Sequence, residues 1–368
     1  MFRAHAAALI VALAVGAPGA PARAASPVTQ DSINGAAPNG VNDTDHPSLI
    51  AKAEVLLDRA HFSPGEIDGM DGDNFRGAAR AFQEANGLAV TGKLDSDTWK
   101  ALASSDSPPV LKLYTISEED VAGPFTKAIP AKLEEMARLR GLSYTRPLSE
   151  IAEKFHMSPN LLRELNPHAD FGRRGAAILV ADVPEMRLRT GRFTIEVVPP
   201  IRNAAPAAAT IVVDKPARNV RAYDRDGRLL AFYPATIGSE EKPAPSGVFK
   251  VRSVDWNPQY HYDPKFAWKG VKTNKKLTVQ PGPNDPVGLV WLDLTAPSYG
   301  IHGTPAPEDI SKTQSHGCIR LTNWDAVDLA TMARPGTSVR FEDQDTPVAP
   351  PSGPVGEREQ SELGRRPP

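Results

Sequence analysis

A single cysteine, Cys318, occurs in the 368 residues, and it closes the stretch SYGIHGTPAPEDISKTQSHGC, residues 298–318, in which His302 and His316 each precede a glycine. A thiol near an imidazole can act as a nucleophile. A free cysteine titrates near ~8.5, so little of it is thiolate at neutral pH unless a base, a positive charge or a helix N-terminus assists. Zinc ligation by His302, His316 and Cys318 is chemically reasonable, but His316 and Cys318 flank one glycine and are poorly placed to share an ion. An inert buried thiol and an intermolecular disulfide are the remaining readings of a lone cysteine.

Backbone geometry separates the two histidines. In extended chain, residues i and i+2 point the same way, ~6–7 Å apart at Cα, but Gly317 suggests a bend whose amides face an incoming group. Amides around Gly317 and Cys318 could then form the oxyanion pocket that acyl transfer needs, a contribution of about two to three orders of magnitude in rate. His302 ends the run SYGIHG, 16 residues upstream of Cys318, and a neighbouring strand could bring it across as acid and base. His316 is left as a local shaping residue.

The elements that must position these groups are mostly extended. From Arg187 onward, runs such as ATIVVDKPARNVRAYDRDGRLLAFYPATIG, SGVFKVRSVDW, VGLVWLDLTAPSYGIHG and TSVRFED alternate or are apolar, broken by turn signals such as Asp226-Gly227. One late helix, TNWDAVDLATMA, has Asn323 as its candidate N-cap. The aromatic insertion at residues 255–277 could fold over a cleft or simply pack. Lys269, Lys272, Lys275 and Lys276 make it locally basic.

Upstream the periodicity is helical. Residues 1–25 combine Arg3, a short apolar run and an Ala-Arg-Ala site, the layout of a secretory signal peptide. No later run has transmembrane length, so no stable membrane insertion is expected after signal removal. Residues 26–46 read as a flexible leader. Residues 47–103 carry three helix patterns separated by the glycine-bearing loops SPGEIDGMDGD and NGLAVTG. Residues 111–183 begin with a strand pattern, LKLYTI, and end with another, AAILVADV. Between them lie two helices, the first capped by Ser149 and the second opening at Ser158-Pro159, with His156 and His168 as surface or helix-end residues. A Pro-, Gly- and charge-rich tail, residues 343–368, reads as disordered. The 36 prolines cluster at the ends and between units, which suggests modules on extended linkers. A net charge of −2 gives no bulk attraction for nucleic acid.

At GIHGT and SHGCIRL, together with PSGVFKV and NDPVGLVWLDL in the same order, residues 209–342 resemble the L,D-transpeptidase family with its YkuD-like catalytic domain. The order helix, SPGEIDG, AARAFQ, NGLAVTGKLD, helix over residues 47–103 is similar to a peptidoglycan-binding domain. The 111–183 segment resembles a LysM module, but with residues 117–146 inserted where the simple module has a short loop. These resemblances imply a multidomain α+β protein: a three-helix wall-binding domain, a LysM-like segment and a mostly-β catalytic domain. They imply Cys318 as nucleophile and His302 as proton donor and acceptor. Ser315, His316, Gly317 and Gly303 would support the turn and oxyanion pocket, and Arg320 would bind a stem-peptide carboxylate, with a protein carboxylate as its alternative partner. Some members place a serine after the active histidine; here Gly303 can orient it only through its backbone carbonyl. No metal or cofactor is implied. The implied partners are peptidoglycan stem peptides and glycan strands, in the periplasm or cell wall, with a role in wall assembly and cell shape. The implied reaction is 3-3 cross-linking with release of D-alanine. L,D-carboxypeptidase action and attachment of a protein to the wall share its acyl-enzyme, and a non-enzymatic wall-binding protein is the remaining alternative.

Overall fold

The computed structural model describes residues 28–38, 47–103, 108–190, 195–198, 207–266 and 273–343. The signal segment, part of the leader, Lys269 and Lys272, and all but the first residue of the tail lie outside the described residues. Within the leader, α1 (Gln30–Asn34) forms despite the lack of periodicity. Thr29 and Ser32 make a capping box, and Ile33 is buried, so local capping and one apolar anchor suffice. The helical patterns that follow become α2 (Pro47–Arg59), α3 (Asp73–Ala85) and α4 (Ser96–Leu102). In α3, Phe75, Ala78, Ala79 and Phe82 form the buried stripe. Asp95 caps α4 by accepting the Thr98 N–H.

The middle segment runs β1 (Leu111–Thr115), α5 (Glu118–Ala122), α6 (Leu133–Met136), α7 (Pro147–Lys154), α8 (Pro159–Leu165) and β2 (Ala177–Ala181). β1 and β2 pair antiparallel, with Leu111 opposite Ala181. Ser158 caps α8 as the sequence suggests. Ser149 does not cap α7: the helix starts earlier because Pro147 occupies its first turn, where a missing N–H costs no hydrogen bond. A hairpin, β3 (Arg187–Thr190) with β4 (Ile195–Val198), leads into the last unit.

That unit is built on one sheet. Its strands are β5 (Thr210–Asp214), β6 (Asn219–Tyr223), β7 (Leu229–Pro234), β8 (Thr236–Ile237), β9 (Gly247–Trp256), β12 (Val290–Leu294), β13 (Gly300–His302), β14 (Ile319–Arg320) and β15 (Ser338–Glu342). They are ordered β7-β6-β5-β15-β9-β12-β13-β14-β8. A separate hairpin, β10 (Tyr260–Tyr262) with β11 (Leu277–Val279), comes from the aromatic insertion. The helix α9 (Asn323–Met332) contributes Trp324, Val327 and Leu329 to a core shared with Val213, Val220, Ile301, Ile319 and Val339.

The units pack on one another through a shared core. A single apolar cluster runs from Leu57, Phe62 and Phe82 through Ile151 and Leu162 to Val212 and Phe232 of the sheet. The backbone joins there too: Ser63 N–H donates to Phe232 O and Phe232 N–H to His61 O, both at 2.9 Å. His156 ends α7 at φ +58, but it is no surface residue. Its Nδ1 lies 2.9 Å from Asp58 Oδ2, and its ring stacks on Trp324 at 5.3 Å. The physical reason is size: units this small bury too little apolar surface alone, so faces that look like private cores are shared.

Candidate active site

β13 and β14 run parallel and adjacent, with Ile301 opposite Ile319 and His302 opposite Arg320. One step back along this register, Cys318 stands beside Gly300. Paired residues share a sheet face, and side chains alternate along each strand, so Cys318, His302 and Arg320 point to one side while Ile301 and Ile319 are buried on the other. Cys318 and His302 are diagonal neighbours, a relation that spans ~7–8 Å at Cα. Both face a cleft of about 650 Å³ that is also lined by Trp291, Tyr260, Tyr299, Lys242, His316 and Arg320.

His302 is buried and held by the Gly303 carbonyl and the Trp291 ring. Its Nδ1 donates to the Gly303 carbonyl at 2.7 Å, which leaves Nε2 as the lone-pair nitrogen. Trp291, its partner across β12 and β13, stacks on the ring at 5.4 Å. The Trp291 indole also lies over Gly300, where any side chain would collide with it. Burial, reinforced by the Arg320 charge and opposed by the Gly303 carbonyl, pulls the imidazole down to about 3. The ring is neutral through the physiological range.

Cys318 is half-buried. Burial pushes its thiol up, and the Gly300 N–H and the Arg320 charge offset this only in part. The cleft therefore holds a neutral thiol and a neutral imidazole rather than an ion pair. Ser315 shapes the turn: its Oγ donates to Cys318 O at 2.5 Å and accepts the Gly317 N–H at 3.3 Å. Gly317 has φ +106, and a Cβ there would stand 2.8 Å from Tyr299 Cε1, so both conformation and space require glycine. His316 is exposed at the cleft edge, and partial desolvation of its ring by the cleft wall, with Arg320 and Lys242 nearby, lowers its pKa. Arg320 Nη1 donates to Gln314 O at 3.3 Å. Among the described residues no carboxylate lies within 4 Å of that guanidinium, and no three His, Cys, Asp or Glu side chains converge on a metal site.

Several cleft residues escape sequence reasoning. Trp291 alternates correctly in VWLDL, but only pairing of β12 with β13 puts it on His302. Tyr260 and Asp263 arrive on the β10–β11 side, the one part of the aromatic insertion with a recognisable signal. Asn323, read as a cap, is the first residue of α9; Thr322 is the cap, accepting the Asp325 N–H. The Asn323 side chain turns inward, and its Oδ1 accepts the Leu289 N–H at 3.0 Å.

Two regions of the chain match known protein families. The L,D-transpeptidase catalytic domain family matches residues 208–341, and the peptidoglycan binding domain family matches residues 47–102. L,D-transpeptidase YkuD of Bacillus licheniformis is 30% identical over 192 residues, 52% of this chain and 91% of that relative. YkuD of Bacillus subtilis is 27% identical over 193 residues with the same coverage of 52% and 91%. L,D-transpeptidase YbiS of Escherichia coli K12 is 27% identical over 218 residues, 58% of this chain and 65% of the relative. A relative matched along 91% of its own length at 30% identity, together with a catalytic-domain match over residues 208–341, means that this chain belongs to the L,D-transpeptidase family.

Proposed function

We propose that the protein is a cysteine-dependent peptidoglycan L,D-transpeptidase that forms 3-3 cross-links, with Cys318 as nucleophile and His302 as acid and base. The observation that carries this reading is the shared sheet face of Cys318 and His302, with Nδ1 committed to Gly303 and Nε2 left for proton transfer. Because both groups are neutral at rest, the thiol proton passes to Nε2 as sulfur attacks the carbonyl of the third stem residue, meso-diaminopimelate. Amides at the Gly317–Cys318 turn receive the developing oxyanion. Breakdown cleaves the bond to the D-alanine nitrogen, and His302 returns the proton to that leaving amine. The side-chain amine of a second stem then attacks the thioester, gives its proton to His302, and expels sulfur, which recovers the proton. Arg320 binds a stem-peptide carboxylate, and residues 47–103 hold the enzyme on the wall. Export to the periplasm or wall follows from the 1–25 segment acting as a cleaved signal.

The test is incubation of wild type and Cys318→Ala with disaccharide-tetrapeptides, followed by mass spectrometry. Dimers with loss of D-alanine are expected from wild type alone. Loss of D-alanine without dimers identifies a hydrolase built on the same acyl-enzyme. Coupling only to an added protein amine identifies an attachment enzyme. Identical products from both proteins overturn the role of Cys318.

A further inference from the structure

The middle segment reaches the catalytic histidine through one side chain. Glu153, in the last turn of α7, accepts a hydrogen bond from Asn323 Nδ2 at 2.7 Å. Asn323 is fully buried, and the rest of its amide serves the catalytic unit. Nδ2 also donates to Pro283 O at 3.1 Å, and Oδ1 accepts the Leu289 N–H at 3.0 Å. Oδ1 packs so closely on Gly288 and Gly303 that a side chain at either would collide with it. Gly303 is the residue whose carbonyl fixes His302 Nδ1.

The same segment grips the adjoining loop a second time. Leu142 N–H donates to Pro281 O at 3.1 Å, Asn284 N–H to Leu142 O at 2.9 Å, and Asn284 Nδ2 to Ser143 O at 2.7 Å. Pro286 and Val287, between these anchors and Leu289, form part of the cleft wall.

An asparagine amide is nearly symmetric in shape but opposite in hydrogen-bonding sense at its two ends. The carboxyl of Glu153 accepts from the nitrogen end by the shorter of its two bonds and, with the Pro283 carbonyl, selects the orientation with Oδ1 toward Leu289 N–H. In the flipped amide a donor would face that donor and an acceptor the Pro283 carbonyl, and the close packing of the amide against Gly288 and Gly303 would be disturbed. We propose that Glu153 is a positioning residue of the active site: through the orientation of Asn323 it sets the Gly303 carbonyl and hence the ring and tautomer of His302. Residues 111–183 are then part of the catalytic apparatus in addition to any contact with the wall. The inference rests on the reading of His302 and Cys318 given above.

The test compares full-length wild type, Glu153→Ala and Glu153→Gln by kcat and KM for D-alanine release from disaccharide-tetrapeptide, and by ¹⁵N-histidine NMR of His302. Glu153→Ala should lower kcat tenfold or more with KM within about twofold, and should mix the His302 tautomers. Glu153→Gln, whose Oε1 still accepts from Asn323, should recover at least half of the lost rate and a single Nδ1–H tautomer. Should Glu153→Ala fail to fold, Glu153→Asp, which withdraws the carboxyl by one methylene, carries the same expectation. Wild-type kcat and tautomer in the folded Ala or Asp variant overturn the proposal, as does an equal loss in Ala and Gln. If wild type releases no more D-alanine than Cys318→Ala, the reading of the reaction fails instead, and the tautomer of His302 still decides the role of Glu153.

Discussion

The resting ionisation of the thiol and imidazole makes a quantitative demand on how Cys318 reacts with pH. An unperturbed thiol near ~8.5 is only about 3% ionised at pH 7. Burial places Cys318 on the far side of that value, and His302, pulled down to about 3, cannot act as a resting imidazolium that stabilises a thiolate. The sign follows directly: the reactive thiolate gains as pH rises, about tenfold per pH unit for as long as pH stays below the thiol pKa. Alkylation by iodoacetamide, followed by intact-mass spectrometry at fixed ionic strength, should therefore accelerate roughly 100-fold between pH 6 and pH 8. An ion pair would give a plateau across the same interval. A rise smaller than about threefold would refute the neutral-pair reasoning, whatever the substrate chemistry. Cys318 is the sole cysteine, so no second thiol contributes to the signal.

Two further outcomes follow from the packing. Glu66 and Glu150 are raised to about 7, Glu153 and Asp285 to about 8, and Glu54 and Asp325 are also raised, each chiefly by burial. Folded pKa values above the unfolded ones mean that the folded state binds more protons. This contribution to stability is complete below the unfolded carboxylate range and is lost as pH climbs through about 7–8, so Tm by differential scanning fluorimetry should fall from pH 5.5 to pH 8.5. A flat or rising Tm contradicts the burial argument. Phe232, 3% exposed, joins the sheet to the helices of the wall-binding unit; Phe232→Ala should cost about 3–5 kcal/mol and raise hydrogen exchange across α2 and α3 more than at β13.

The family resemblance and the parts list were legible in the sequence alone. A lone thiol beside a glycine bend, an upstream histidine at a strand end, the shift from helical to alternating periodicity near Arg187 and the glycine-bearing loops of the first unit are all local signals. Local signals are legible because 3.6- and 2-residue periods and turn chemistry need only near neighbours. Long-range packing set the rest. Which strands are neighbours put Trp291 on His302 and Cys318 on the face of His302, since pairing depends on contacts far apart in sequence. Shared burial joined the helical units and the sheet in one core, stacked His156, read as a surface or helix-end residue, on Trp324, and gave Asn323 a partner in another unit. A one-dimensional pattern shows that a face is apolar or that a side chain can hydrogen-bond. It does not show what that face or group will meet, because the partner is chosen by the packing of the whole chain.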